Sequence, residues 1–122
     1  MQLTDFYTIN RTTSDNSETT FHIKLNPDHD IYKSHFPGQP VLPGVCTLQI
    51  IKECAQQLIA QKLQYTQILQ CKYLRFIDPV RSSEITLIIS LNKNADNTVK
   101  LIANGMCEEN FFIKIKGIMS EC

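Results

Sequence analysis

The sequence predicts an α+β fold in which an antiparallel sheet wraps around one central helix. Apolar and polar residues alternate toward both ends of the chain, which is typical of strands with one buried face. One long segment in the middle carries apolar residues at the three-and-four spacing of a helix. Neither a repeat nor a linker interrupts the 122 residues, so we expect a single domain over residues 1–122.

The strands are predicted from this alternation. In chain order they are expected at 21–25, 69–75, 84–91, Val99–Met106 and Phe111–Met119. The polar segment TTSDNSETT at 12–20 is interpreted as a turn region and nothing more. The segments NKNADN and CEEN carry the residues that turns favour, so they are expected to join the later strands into a meander.

The central helix is predicted to begin near Pro43, because proline is tolerated in a first helical turn, and to run to about Lys62. The stripe expected to pack on the sheet consists of Leu48, Ile51, Ala55, Leu58 and Ile59. The polar residues Gln49, Glu53 and Gln56 are expected on another face of the same helix.

The composition excludes several classes of function. Twelve basic and twelve acidic residues give a formal net charge of zero, which is unlike the basic surface of a nucleic-acid binder. The start of the chain lacks the basic and apolar regions of a signal peptide, and no apolar run approaches the ~20 residues of a membrane span. We therefore expect a soluble cytoplasmic protein that acts on small molecules or proteins.

The five cysteines are interpreted as reduced thiols, because their number is odd and no pair has zinc-site spacing. No metal and no cofactor are predicted. Cys46 lies near the predicted start of the helix, where the dipole could lower its pKa and make it nucleophilic. The favoured interpretation is that Cys46 is a small buried apolar residue.

The segment HFPGQPVLPGV at 35–45 holds one histidine, three prolines and two glycines directly before the helix. It resembles the signature of the 3-hydroxyacyl-acyl-carrier-protein dehydratases of the FabZ and FabA type. RFIDPV at 75–80 and the final hairpin ANGMCEENFFIKIKG are similar to later parts of that family, more weakly. The resemblance implies a hotdog fold, a homodimer or higher even oligomer, and an acyl-chain tunnel between subunits.

The resemblance also implies the chemistry. His35 would be the base that removes a proton beside the thioester carbonyl, and the flanking prolines would hold its imidazole in place. Gly44 would let the thioester carbonyl approach a backbone N–H at the positive end of the helix. The substrate-binding positions carried over from the family are Phe36, Gly38, Val41, Pro43, Gly44 and Val45.

The second catalytic group departs from the family pattern. The resemblance places a Glu or Asp fourteen residues after the histidine, and this position holds Gln49. An amide cannot donate a proton in an acid step, although it can hydrogen-bond a hydroxyl or water. Glu53 lies one turn further along the same helix face, so it could supply the carboxyl group. The structural alternative is that Glu53 pairs with a nearby lysine on an exposed face.

Three functions follow as hypotheses. The first is a divergent (3R)-hydroxyacyl-acyl-carrier-protein dehydratase of fatty-acid or related acyl-chain synthesis, with Gln49 in the usual acid position. The second is a hotdog acyl thioesterase, and the third is a non-catalytic acyl-binding hotdog subunit. A patch formed by Lys72, Arg75 and Arg81 could meet an acidic acyl carrier protein, or these charges could simply be scattered and solvated.

Overall fold

The computed structural model describes residues 3–34 and 38–122, and it confirms the predicted α+β fold. Six strands form one antiparallel sheet, with a long helix packed on one of its faces. The elements in chain order are β1 Tyr7–Asp15, β2 Glu18–Leu25, α1 Ile31–Ser34, α2 Gly44–Ile59, β3 Leu63–Tyr73, β4 Glu84–Lys93, β5 Val99–Cys107 and β6 Asn110–Glu121. Their order across the sheet is β1-β2-β4-β5-β6-β3, so β1 and β3 are its edges.

The core lies between α2 and the sheet, because every second residue of the central strands turns its side chain toward the helix. In β4 the buried residues are Ile85, Leu87 and Ile89, and in β5 they include Leu101 and Ala103. The predicted meander is confirmed, since β4, β5 and β6 are sequential antiparallel neighbours joined at 94–98 and 108–109.

The interpretation of 12–20 as a turn region is wrong. Strands β1 and β2 pair along most of this segment, and only Asn16 and Ser17 form the turn between them. Asn16 has a φ of 53°, a left-handed conformation that asparagine tolerates better than most residues. The strand part of the hairpin is exposed and polar on both faces, so it carries no alternation from which a strand could be predicted.

Helix α2 begins as predicted, but it ends at Ile59 and not near Lys62. Ala60 adopts φ 54° and ψ 39°, which turns the chain out of the helix and toward β3. The buried face is also rotated from the predicted stripe, because Leu58 is 37% exposed. The residues buried in α2 are Cys46, Thr47, Ile50, Ile51, Cys54 and Ala55.

Strand β3 begins at Leu63 and ends at Tyr73, whereas the alternation predicted a strand at 69–75. Its pairing with β6 shifts register between Tyr65 and Gln67 and again between Ile68 and Gln70. Each shift resets which residues face the core, so a simple two-residue period does not describe this strand. The prediction consequently missed its first half.

Candidate active site

Helix α2 starts beside the segment in which the sequence predicts the site. Pro43 precedes it with φ −65° and ψ 141°, an extended conformation that suits proline. The backbone N–H groups of Cys46 and Thr47 both donate to the carbonyl oxygen of Pro43, at 3.0 and 3.2 Å. Among the described residues no side chain caps this helix end. The N–H groups of Gly44 and Val45, which precede these two, have no carbonyl partner within the helix.

Gly44 is covered by the ring of Tyr73, which closes part of this helix end. A Cβ on Gly44 would lie 2.7 Å from the Cζ and hydroxyl oxygen of Tyr73, so any other residue would push the ring away. Burial, and secondarily the neighbouring Cys71, raises the pKa of Tyr73 to about 12, so its hydroxyl is protonated at neutral pH. That a thioester carbonyl approaches Gly44 stays a prediction. A carbonyl placed there would lie next to Tyr73.

Three side chains form a hydrogen-bonded cluster at the polar face of α2. Gln49 and Glu53 belong to the helix, and Tyr7 belongs to β1. The Tyr7 hydroxyl donates to Glu53 Oε1 at 2.7 Å. Gln49 Nε2 donates to the other carboxylate oxygen, Glu53 Oε2, at 2.9 Å. Among the described residues the carboxylate of Glu53 pairs with these two donors and with no lysine, so the structural alternative for Glu53 does not hold.

The orientation of the Gln49 amide follows from this cluster. An ionised carboxylate can only accept hydrogen bonds, so the amide nitrogen must face Glu53. The carbonyl oxygen of Gln49 is then turned away from Glu53. It is left as an acceptor, able to receive a hydrogen bond from a hydroxyl group or a water molecule.

The cluster lies in the wall of a cavity of about 710 Å³. The cavity is formed by the polar face of α2, the segment after it and the chain that leads into β1. Lys52 and Lys62 add positive charge to its wall, while Leu3 adds an apolar contact. Its size is that of an ordinary small-molecule site.

The predicted site residues are only partly brought together. Gln49 and Glu53 meet directly in the cavity wall, whereas residues 38–45 do not line it. Gly38 is exposed with a φ of 88°, and Val45 is 63% exposed at the start of α2. Val41, Pro43 and Gly44 are half-buried. His35 and Phe36 lie outside the described residues, so their assigned roles stay predictions.

Tyr7 is the member of the cluster that the sequence prediction missed. It is paired with Leu25 of β2, and the buried Leu25 faces the core, so the pairing turns Tyr7 toward α2. Burial and the hydrogen bond to Glu53 raise the pKa of Tyr7 well above its usual range, so it stays a donor. The only signal in the sequence is the alternation of Tyr7 and Ile9 with polar neighbours, which predicts a strand but not its contact.

A second cavity, of about 730 Å³, lies away from the predicted site residues. It is lined by the solvent-facing sides of β1, β2 and β4 and by residues 81–83. Arg11 Nη2 and His22 Nε2 lie 3.2 Å apart in its wall, and Ser82 Oγ donates to Glu108 at 2.6 Å. These four polar side chains of the wall are thus paired with one another.

Cys46 is fully buried, and burial raises the pKa of its thiol, so the interpretation as an apolar core residue is confirmed over the nucleophile. Within the described residues no three His, Cys, Asp or Glu side chains are grouped so as to hold a metal ion. The same part of the chain contains no helix with the length and apolar character of a membrane span.

Comparison with known proteins decides the family. The model of the ApeI-like family, described as ApeI dehydratase, matches residues 10–109. The chain belongs to the ApeI-like dehydratase family. The resemblance predicted from residues 35–45 is thereby confirmed at the level of FabZ-like hotdog dehydratases.

A curated relative of the same kind is the 3-hydroxyacyl-[acyl-carrier-protein] dehydratase FabZ of Lactobacillus helveticus, strain DPC 4571. It is 26% identical over 97 residues, which are 74% of this chain. The match covers 63% of the length of that relative. The chain thus spans less than two thirds of the length of this relative.

Solved structures confirm the hotdog fold. A chain of the dehydratase heterocomplex ApeI:P from Xenorhabdus doucetiae matches with a TM-score of 0.73 and 22% identity, over 93% of this chain and 97% of that one. A mutant thioesterase from Pseudomonas aeruginosa matches with a TM-score of 0.61 and 10% identity, over 89% of this chain and 78% of that one. At such identities the likeness shows the fold alone.

Proposed function

We propose that this ApeI-like chain dehydrates a 3-hydroxyacyl thioester to the enoyl thioester and water, with Glu53 as its catalytic carboxyl group. The observation that carries the proposal is the Glu53 side chain, which is held by two donors in the wall of a cavity on α2. Membership of the ApeI-like family supports the reaction class. The chain is proposed to act as one domain over residues 1–122.

Each group would have one task. His35 would take the proton from the carbon beside the thioester carbonyl, and that carbon's electron pair would form the new double bond. The leaving hydroxyl would depart as water after it receives a proton from the neutral, protonated form of Glu53, and the proton taken up by His35 would then return to Glu53 and restore both groups. The helix start at Gly44 in the copy that supplies His35 would stabilise negative charge on the thioester oxygen. The Gln49 carbonyl oxygen would accept a hydrogen bond from the substrate hydroxyl.

Glu53 suits this task better than Gln49 does. An amide has no proton to give in an acid step, and loss of that step typically costs about 10²–10⁴ in rate. Glu53 lies four residues further along α2, which places it about 6 Å from position 49 along the helix axis. The substrate hydroxyl would accordingly sit deeper along the helix than in a protein with the acid at position 49.

The proposal includes an assembly and a partner. A second copy of the chain would supply His35 to the Glu53 of the first, so the active unit would be a homodimer or a higher even oligomer. The substrate would be carried on an acyl carrier protein in fatty-acid or related acyl-chain synthesis. Lys72, Arg75 and Arg81 would meet its acidic surface, although Asp78 lies 3.9 Å from Arg81 and offsets part of that charge.

A thioesterase is the second candidate, because the hotdog structures with similar folds include a thioesterase from Pseudomonas aeruginosa. In that reaction Glu53 would act as a general base on water, and the cavity would hold the acyl thioester. A non-catalytic acyl-binding subunit is the third candidate. It would use the same cavity without turnover.

One pair of assays separates these candidates. The purified chain is incubated with a 3-hydroxyacyl thioester and with the saturated thioester of the same chain length, and both enoyl product and free thiol are measured. Enoyl product from the hydroxy substrate alone supports the dehydratase, and its loss in His35→Ala supports the assigned base. Free thiol from both substrates shows a thioesterase, whereas neither product supports a binding subunit.

A further inference from the structure

We propose that Tyr7 is the positioning residue of the active site, which acts by fixing the carboxyl group of Glu53 for the proton transfer. The inference rests on the proposed function and adds to it a residue from a different part of the chain. Tyr7 belongs to the edge strand β1 and Glu53 to α2, 46 positions further along the sequence. The contact thus ties the sheet edge to the polar face of the helix.

Two donors on separate oxygens determine the orientation of a carboxylate. Tyr7 holds Oε1 at 2.7 Å and Gln49 holds Oε2 at 2.9 Å, so rotation of the Glu53 carboxylate plane would break a hydrogen bond. Gln49 and Glu53 lie on the same helix. Of the two hydrogen bonds, the one from Tyr7 therefore joins Glu53 to another element. When Glu53 is protonated, its hydroxyl oxygen can still accept one of these hydrogen bonds while its O–H donates to the substrate hydroxyl.

Tyr7 is also suited to keep this role across the working pH range. Burial is the largest cause that raises the pKa of its hydroxyl, and the hydrogen bond to Glu53 is the second. The hydroxyl therefore remains protonated and continues to donate. Tyr7 is half-buried, so water competes less for its donor than it would at the surface.

The chain offers a matched control in Tyr65. Its hydroxyl donates to the backbone carbonyl of Leu48 at 2.8 Å, so it also joins a strand to α2. Tyr65 is half-buried and its pKa is likewise raised by burial, but it makes no hydrogen bond to Glu53. A loss that follows only from anchoring a strand to the helix would appear equally in Tyr7→Phe and Tyr65→Phe.

The test is steady-state kinetics of dehydration with the full chain. Tyr7→Phe is expected to lower kcat by about 10- to 100-fold, the value of a hydrogen bond to a charged group. The KM should stay within about twofold, because the residue acts through Glu53 and not on substrate binding. Tyr65→Phe should keep kcat within about twofold. In a Glu53→Gln background, adding Tyr7→Phe should cause no further loss.

The near-ultraviolet absorbance of the tyrosines at neutral pH tests the contact without turnover. Glu53→Gln is expected to change the absorbance of one tyrosine, because its hydroxyl loses a charged acceptor, and this change should be absent when Tyr7→Phe is also present. An active chain whose Tyr7→Phe variant keeps its kcat, or whose two losses simply add, overturns the positioning role. If the unmodified chain forms no enoyl product, the proposed function fails, and the positioning role in catalysis fails with it.

Discussion

Tyr7, Gln49 and Glu53 form one hydrogen-bonded unit, so the effect of replacing any of them depends on the other two. The carboxylate lies one helical turn from the position at which FabZ-like dehydratases are expected to carry their acid. Gln49 contributes to this arrangement with both ends of its amide group. The nitrogen donates to Glu53, and the oxygen can accept a hydrogen bond from another group. In the proposed mechanism the pair would exchange chemical roles along one face of α2, and the carboxyl group of Glu53 lies in the cavity wall.

The cysteines give a prediction at the scale of single residues. Burial raises the pKa of the Cys46 thiol, and burial followed by the charge of Glu53 raises that of Cys54 to about 12. The thiolate is the reactive form, so neither should be alkylated by iodoacetamide at pH 8 in the folded protein. Cys122 is exposed and should react first. Site-resolved mass spectrometry before and after denaturation checks this.

Denatured protein is the control, because unfolding should make all five cysteines reactive. Rapid labelling of Cys46 in the folded state would revive its interpretation as a nucleophile at the start of the helix.

At the scale of elements, the end of α2 departs from its predicted position for a reason that can be tested. Ala60 is exposed in the left-handed conformation that glycine adopts without strain. Ala60→Gly is therefore expected to raise the free energy of unfolding by about 0.5–1 kcal/mol. Urea denaturation followed by circular dichroism measures the change.

Gln61→Gly is the matched control, since Gln61 is exposed next to it and has no positive φ. That substitution should leave the stability unchanged or lower it. An Ala60→Gly variant that unfolds at lower urea concentration than the parent would contradict the left-handed conformation of Ala60 at the end of α2.

The elements show what the sequence can predict. The proline before α2, the alternation in β4 to β6 and the turn residues between those strands are local signals, and the structure confirms the elements they predict. The exposed tip of the β1–β2 hairpin, residues 12–20, lacks alternation, and two register shifts interrupt the period of β3. The Gln49–Glu53 contact follows from helical spacing, whereas Tyr7 reaches Glu53 across 46 positions and only tertiary structure reveals it.

At the scale of the whole molecule, the two edges of the sheet differ. The edge strand β1 is polar and exposed, whereas β3 exposes Ile68 and Leu69, the latter at 52%. Phe76, just beyond β3, is 90% exposed. Apolar side chains on an open strand edge favour pairing with another chain. This edge is therefore where the proposed homodimer is expected to form.

Sedimentation at micromolar concentration should give a species of twice the 14.0 kDa chain mass. Leu69→Lys is expected to shift it toward the monomer, because it places a charge on the apolar edge. Thr13→Lys, on the opposite edge strand β1, should leave the dimer intact. If the parent chain sediments only as a monomer, no second copy supplies His35 to Glu53, and the proposed dimeric site is wrong.

The rate of enoyl formation by Glu53→Gln and Gln49→Glu, measured on one 3-hydroxyacyl thioester, tests the role of Glu53 most directly. If Glu53 donates the proton, Glu53→Gln should lower kcat by about 10²–10⁴ while circular dichroism shows an intact fold. Gln49→Glu should add little and could lower the rate, because it removes a donor to Glu53 and places like charges one turn apart. A Glu53→Gln variant with undiminished kcat, whether or not Gln49→Glu gains activity, would contradict the assignment.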